Sequence, residues 1–324
     1  MTTFIEKLFG KPKKNETPVS PEPEPEISEP AARSETPTLP SQPSQASTAP
    51  LAPAMFSDET IQLSPPQLIV GCGHSVGQQR EHNEDALFTL TTNLVSDTTY
   101  LRFGLYIIAD GMGGHQHGEL ASGVSIRSMA NSILRKLFIP FISPKGEPPE
   151  ESIHEIIQDG ITEAHRSIAR EATGGGTTLT MALIIGDQFI LTHVGDSRAY
   201  TIFPDGSLRL LTRDHSLVRR LEELGQITAA EAAVHPQRNV LYRALGHGEP
   251  FEPEINTLPI PSGGYVMLCS DGLWGYVNEQ KILQIIKENP HPELACQLMV
   301  EAANAAGGPD NISVILIHFP DALS

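Results

Sequence analysis

Between Gln67 and Phe319 the chain alternates two hydrophobic patterns. Short runs rich in β-branched and aromatic residues occur at Gln67–Gly73, Leu101–Ala109, Leu179–Ile185, Phe189–Val194, Arg198–Phe203, Tyr265–Cys269 and Ile312–Phe319, and each predicts a strand. Gly186-Asp187 and Pro204-Asp205-Gly206 supply tight turns between neighbours, which favours antiparallel pairing. Ile153, Ile156, Ile157, Ile161, Ala164 and Ile168 form a stripe at three-and-four spacing, predicting an amphipathic helix. Further helices are expected from about Glu119 to Phe138, Glu279 to Lys287 and Pro292 to Ala305. Two stacked sheets with helices on their outer faces satisfy this inventory: an α+β fold, a four-layer α-β-β-α sandwich of mainly antiparallel sheets.

Two segments break the pattern. From about Leu210 to Gly246, Leu217, Val218, Leu221 and Leu224 mark a short helix ended by Gly225, and Thr228-Ala229-Ala230-Glu231 is a capping box opening another. Such an excursion between strands predicts a flap bordering a site, residues 210–246. At the other extreme, residues 15–66 are dominated by Pro, Ser, Thr, Ala and Glu and lack the apolar surface that would offset ordering, so a disordered proline-rich tether is expected. Ahead of it, Phe4, Ile5, Leu8 and Phe9 share one helical face, so residues 1–14 are expected to act as a docking peptide for a partner or a membrane surface. The globular domain is expected over residues 67–320.

The 324 residues carry a formal charge of −17, which excludes a nucleic-acid partner because phosphate-backbone binding needs a basic surface. Three cysteines, Cys72, Cys269 and Cys296, form no C-x-x-C pair and are expected to be free thiols in a reducing, cytoplasmic compartment. The first residues lack the apolar core of a signal peptide, and no run approaches a membrane span.

The candidate chemistry lies in three aspartates, each at or beside the end of an apolar run or next to backbone-permissive residues: Asp110 before Gly111, Asp271 before Gly272 and Asp310 after Gly307-Gly308-Pro309. Carboxylates are costly to gather unless a cation neutralises them. Oxygen donors of this kind suit Mg²⁺ or Mn²⁺ better than zinc. Upstream, Arg80 beside Glu84 and Asp85 is suited to clamp a phosphate, with the carboxylates holding metal-bound waters or locking Arg80.

The ordered series is more specific. Ser75-Val76-Gly77-Gln78-Gln79-Arg80 through Asn83-Glu84-Asp85-Ala86 is followed by Ala109-Asp110-Gly111-Met112-Gly113-Gly114-His115, then Gly175-Gly176-Thr177-Thr178. Next come Gly195-Asp196-Ser197-Arg198, Leu211-Thr212-Arg213-Asp214-His215-Ser216, Ser270-Asp271-Gly272-Leu273-Trp274 and Asp310-Asn311-Ile312-Ser313. Together they resemble the bacterial branch of the metal-dependent serine/threonine protein phosphatases, the PPM family of type 2C. The resemblance implies hydrolysis of phosphoserine and phosphothreonine by direct attack of a metal-bound hydroxide, so Ser197 and Ser270 are not nucleophiles. It implies two Mn²⁺ or Mg²⁺ ions held by Asp110, the Gly111 carbonyl, Asp271 and Asp310, with a third ion in some relatives near the matches to Asp196 and Asp271. Arg80 matches the phosphate-binding arginine. Glu84 matches a residue that reaches a metal through water, and Asn311 matches a position bordering the site. Asp85 is grouped with these as a supporting residue.

Met112 stands where many eukaryotic members have a histidine proposed as the general acid, so that role is unassigned. His115 and a metal-bound water are the alternatives. Phosphorylated proteins are the expected substrates of an expected monomer, with a cognate kinase as a further partner suggested by the resemblance. Two alternatives use the same fold: a pseudophosphatase serving as a regulatory binding module, whose mark would be loss of the metal carboxylates Asp110, Asp271 and Asp310, all present here, and a phosphatase of small phosphoesters.

Overall fold

The computed structural model describes residues 67–96, 99–114, 116–143, 149, 151–248 and 253–321. The expected docking peptide, the tether and His115 lie outside the described residues. In chain order the strands and helices are β1 (Ile69–Ser75), β2 (Asp85–Ser96), β3 (Thr99–Met112), α1 (Gln116–Ile133), α2 (Ile139–Ile142), α3 (Ile153–Glu171), β4 (Gly176–Thr177), β5 (Leu179–Ile185), β6 (Gln188–Val194) and β7 (Arg198–Ile202). They continue with β8 (Leu208–Leu210), α4 (Leu217–Glu223), α5 (Ala229–Ala233), β9 (Glu254–Leu258), β10 (Tyr265–Cys269), α6 (Asp271–Trp274), α7 (Glu279–Glu288), α8 (Pro292–Ala305) and β11 (Ile312–His318).

One sheet runs β1-β11-β10-β7-β8 and the other β2-β3-β5-β6-β9, with β4 added to β3; all of these pairings are antiparallel. Period-two alternation distributes the side chains among three apolar layers. On β3, Leu105, Ile107 and Ala109 face α1 and α3, while Tyr106 and Ile108 enter the layer between the sheets. On β11, Val314 and Leu316 meet α7 and α8, while Ile315 and Ile317 meet the opposing sheet. The four-layer α-β-β-α sandwich is thus the observed fold.

The helical stripe of α3 is buried along its length and starts at a capping box between Ser152 and Glu155. The helix expected to reach Phe138 differs in its last turn. It widens to a π turn over Leu134–Phe138, where the Ile139 N–H reaches back to the Leu134 carbonyl, and Pro140, which has no N–H, follows at once. The strand β2 differs from the expectation, because Thr89, Thr91, Thr92 and Asn93 place polar groups among its apolar positions and break up the hydrophobic run.

β1 lies so close to the start of α8 that a Cβ on Gly71 would stand 2.2 Å from the Pro292 carbonyl carbon. Gly71→Ala is therefore expected to destabilise the domain by about 1–3 kcal/mol, the usual range for overpacking. A thermal unfolding curve indistinguishable from the parent would show that this contact relaxes freely.

Candidate active site

The strand register places two acids side by side. Asp85, at the start of β2, is the cross-strand partner of Asp110 near the end of β3. Like charges in that position oppose pairing, so the backbone around them has to be held firmly. The Asp110 N–H donates to Thr178 Oγ1 at 2.9 Å, and its carbonyl accepts from the Thr177 hydroxyl and the Thr178 N–H, both at 2.9 Å. Gly111 donates its N–H to the Glu84 carbonyl at 3.1 Å. A Cβ there would fall 2.2 Å from the Gly118 carbonyl oxygen, so only glycine lets β3 pass between the start of α1 and the Glu84 backbone.

The other sheet delivers Asp271 and Asp310. Asp271 begins α6 directly after β10, and a Cβ on Gly272 would lie 1.9 Å from the Asn311 carbonyl oxygen. The two acidic turns are therefore in backbone contact. Asn311 donates its amide to the carbonyls of Val76 (2.8 Å) and His82 (2.9 Å) and accepts the Glu84 N–H at 2.7 Å. Its side chain thereby ties the Arg80-bearing loop to the end of β11. Asp85 crosses between the sheets: its Oδ2 accepts from the Ser270 hydroxyl at 2.8 Å and the Ser313 hydroxyl at 2.7 Å, while its buried Oδ1 has no hydrogen-bond partner.

The electrostatics follow from this convergence. Desolvation, then the Asp85, Asp271, Asp196 and Asp310 carboxylates, hold Asp110 well above the usual carboxylate range. Desolvation raises Asp85 to about 6 against the opposing hydrogen bonds from Ser313 and Ser270. Asp271 is raised to about 7 by desolvation and by Asp310 and Asp85, although a hydrogen bond with Asp110 pulls it down. Two carboxyl groups in that contact need a proton or a cation between them. Desolvation, Asp271 and Asp214 likewise raise Asp196.

Among the described residues, no three carboxylate, imidazole or thiol side chains close into a cage for one ion. The donor set that is gathered instead is a group of mutually repelling carboxylates with an orphaned buried oxygen and a nearby glycine carbonyl. Hard cations take such mixed sets, completing them with backbone oxygens and water, so these residues fit Mg²⁺ or Mn²⁺.

Arg80 reaches across to the turn that carries Asp310. Its Nη2 pairs with Asp310 Oδ2 at 2.7 Å and its Nε donates to the Pro309 carbonyl at 3.3 Å. The guanidinium is half exposed at the rim. Glu84 lies along Gly118, where a Cβ would fall 2.0 Å from its Oε2. Asp196 is buried, and its carbonyl accepts the Trp274 indole N–H at 3.0 Å. Arg198 stacks 3.6 Å from the Trp274 ring centre and forks onto Asp214 at 3.0 and 2.7 Å.

From Asp196, Asp271 and Asp310 a cleft of about 650 Å³ runs outward between Trp274 and the α4–α5 segment, past Arg219, Arg238 and Asn239. That segment leaves the core at His215, where the Ser216–Leu241 bridge closes its stem, and returns through the Thr177–Leu245 bridge. Both of its ends therefore abut turns that carry acids of the site. Thr177, Thr178, His215, Ser270, Ser313 and Trp274 stand within the sequence motifs, and each makes a hydrogen bond that holds the site together. Their positions within the motifs were the available signal, but the hydrogen bonds they make cross between sheets and leave no spacing to read.

Comparison with known proteins agrees with this geometry. A protein-family profile described as Protein phosphatase 2C matches residues 70–312. Protein phosphatase PhpP of Streptococcus pneumoniae is 34% identical over 253 residues, covering 75% of this chain and 94% of that protein. Serine/threonine phosphatase stp of Listeria monocytogenes is 32% identical over 250 residues, covering 75% and 92%. Among solved structures, the Mycobacterium tuberculosis serine/threonine phosphatase PstP/Ppp superposes with a TM-score of 0.64 at 31% identity, covering 78% of this chain and 99% of that one. The PstP catalytic domain in complex with two manganese ions gives 0.61 at 30% identity, covering 79% and 99%.

The raised acids predict how the metal-free protein responds to pH. Asp85 and Asp271 bind protons more tightly folded than at their ordinary value of 3.8, so the folded state holds more protons across the interval up to about 6 to 7. Their contribution to stability is full below about pH 3.8 and is lost as pH rises through about 6 to 7. With chelator present, this contribution should lower the thermal midpoint between pH 5 and 8, and Mn²⁺ should flatten that slope. A slope unaltered by Mn²⁺ would mean the acids do not meet the ion.

Proposed function

This chain belongs to the protein phosphatase 2C family and is a serine/threonine phosphoprotein phosphatase of its bacterial branch, and from that premise we propose a Mn²⁺- or Mg²⁺-dependent hydrolysis carried by the carboxylates at the joined sheet ends. The observation that carries the proposal is the adjacency of Asp85 and Asp110 across β2 and β3, with Asp85 hydrogen-bonded to Ser270, the residue before Asp271.

In this reading Asp110 and the Gly111 carbonyl would hold one ion, Asp271 and Asp310 with Asp110 would hold a second, and Asp196 would offer a ligand to a third. Bound divalent cations supply charge neutralisation of the phosphoryl oxygens and a lowered pKa for water. The chain's own work is to hold and orient. Thr177 and Thr178 fix the Asp110 backbone, so its carboxylate is presented without reorganisation. Asp85, Glu84 and Asn311 support the first site and the loop that bears Arg80. Arg80 orients the phosphate, its guanidinium exchanging Asp310 for phosphoryl oxygens. Ser197 and Ser270 are fully buried and engaged with Thr178 and with Asp85, which supports direct hydrolysis without a phospho-enzyme. The α4–α5 segment acts as a flap, and the cleft beneath it takes the polypeptide flanking the phosphorylated residue.

The test is phosphate release from a phosphothreonine peptide. Chelation is expected to abolish it and Mn²⁺ to restore it, while Asp110→Ala and Asp271→Asn each lose several orders of magnitude in kcat. Turnover that survives thorough chelation would sink the proposal.

Arg80→Ala should lower kcat/KM by about 1.5–3 kcal/mol, the scale of a charge-assisted hydrogen bond, with Arg80→Lys recovering only part because lysine lacks the fork. Because Arg80 also balances Asp310, the alanine variant should tighten Mn²⁺ binding in a calorimetric titration. Unchanged kinetics would assign Arg80 to Asp310 alone.

A further inference from the structure

A buried polar chain outside the acidic cluster runs from the flap stem to Asp110. His215, fully buried, clasps Gly195 at two points: its N–H donates to the Gly195 carbonyl at 2.7 Å, and the Gly195 N–H donates to His215 Nδ1 at 3.1 Å. An Nδ1 that accepts must carry a lone pair, so the proton sits on Nε2, which faces Glu254 Oε1 at 3.1 Å. Gly195 has φ +110°, and a Cβ there would fall 2.5 Å from Thr178 Cγ2, so the turn presses on the residue that holds the Asp110 N–H. On the flap side, the His215 carbonyl accepts the Tyr242 N–H at 2.9 Å, and Leu217 N–H donates to Val240 at 2.8 Å. His193 joins the same layer. Burial pulls it down to about 3, so its neutral ring accepts from Thr180 at 3.0 Å and donates through Nε2 to the Arg213 carbonyl at 3.1 Å.

Resting on the phosphatase reading above, we infer that His215 is the positioning residue that locks the flap stem to the Gly195–Asp196 turn, through an Nε2–H tautomer selected by Glu254. The task needs an acceptor at the Nδ1 position on a short, rigid side chain. Asparagine puts an amide atom near Nδ1, and glutamine puts one near Nε2, so the two substitutions separate the clasp on Gly195 from the contact with Glu254. Loosening the clasp frees the flap wall of the cleft. A phosphopeptide uses that wall and p-nitrophenyl phosphate does not.

Two measurements decide it. The first is ¹⁵N NMR of the wild-type chain with amide exchange: His215 is expected unprotonated at Nδ1, with Gly195 and Tyr242 amides protected. A proton on Nδ1, or rapid exchange at Gly195, overturns the inference without any variant. The second compares His215→Asn with His215→Gln at matched thermal stability. His215→Gln should raise the phosphopeptide KM by about tenfold, the scale of one lost buried hydrogen bond, while His215→Asn stays within about threefold. For His215→Gln, the loss in kcat/KM on p-nitrophenyl phosphate should be several-fold smaller than the loss on the phosphopeptide. Equal effects of the two substitutions, or parallel losses on both substrates, overturn it. A wild-type chain with no Mn²⁺-dependent turnover would instead refute the phosphatase reading, and the NMR measurement would still judge the clasp.

Discussion

Repulsion among carboxylates brought together where two sheets meet is the constraint on which the rest of this structure depends. Asp85 and Asp110 face each other across one strand pair, and Asp271 and Asp310 arrive from the opposite sheet. Left alone, such a group holds Asp85, Asp110 and Asp271 above the usual carboxylate range and works against folding. It persists because the three apolar layers formed by β3, β10, β11 and their helices do not depend on it. A stable scaffold can carry a strained, charged site whose occupant relieves the strain, which is why perturbed acids gather where chemistry is done.

Presentation of those acids is mostly a backbone matter. Asp110 is gripped at both its N–H and its carbonyl by two consecutive threonines, and Gly111 threads a gap that no side chain would fit. Asn311 gathers three backbone groups of the Arg80 loop, and Ser270 and Ser313 share the task of fixing Asp85. Neutral donors and acceptors of this kind hold geometry without altering the charge that a cation meets.

The same logic extends to the flap. An inserted segment joined by a flexible hinge would sample many positions over the cleft. Here its stem closes through the Ser216–Leu241 bridge and it rejoins the core through Thr177–Leu245, so both ends land beside acid-bearing turns. The α4–α5 segment is thereby mechanically close to the residues that hold Asp110 and Asp196.

Read alone, the sequence determined the fold class, most of the strands and helices, and the identity of the principal acids. Those features depend on local periodicity and on aspartate–glycine pairs within a few residues of each other, which Leu101–Gly111 and Tyr265–Gly272 display openly. It passed over β2, whose threonines blur the apolar alternation of an edge strand, and it left Glu84 and Asp85 open between holding metal-bound waters and locking Arg80. The tertiary structure gave Arg80 to Asp310, set Asp85 opposite Asp110, and joined His215 to Gly195. Each of these is a contact between residues far apart in the chain, decided by strand register and by how two sheets abut, and short-range pattern carries no record of either.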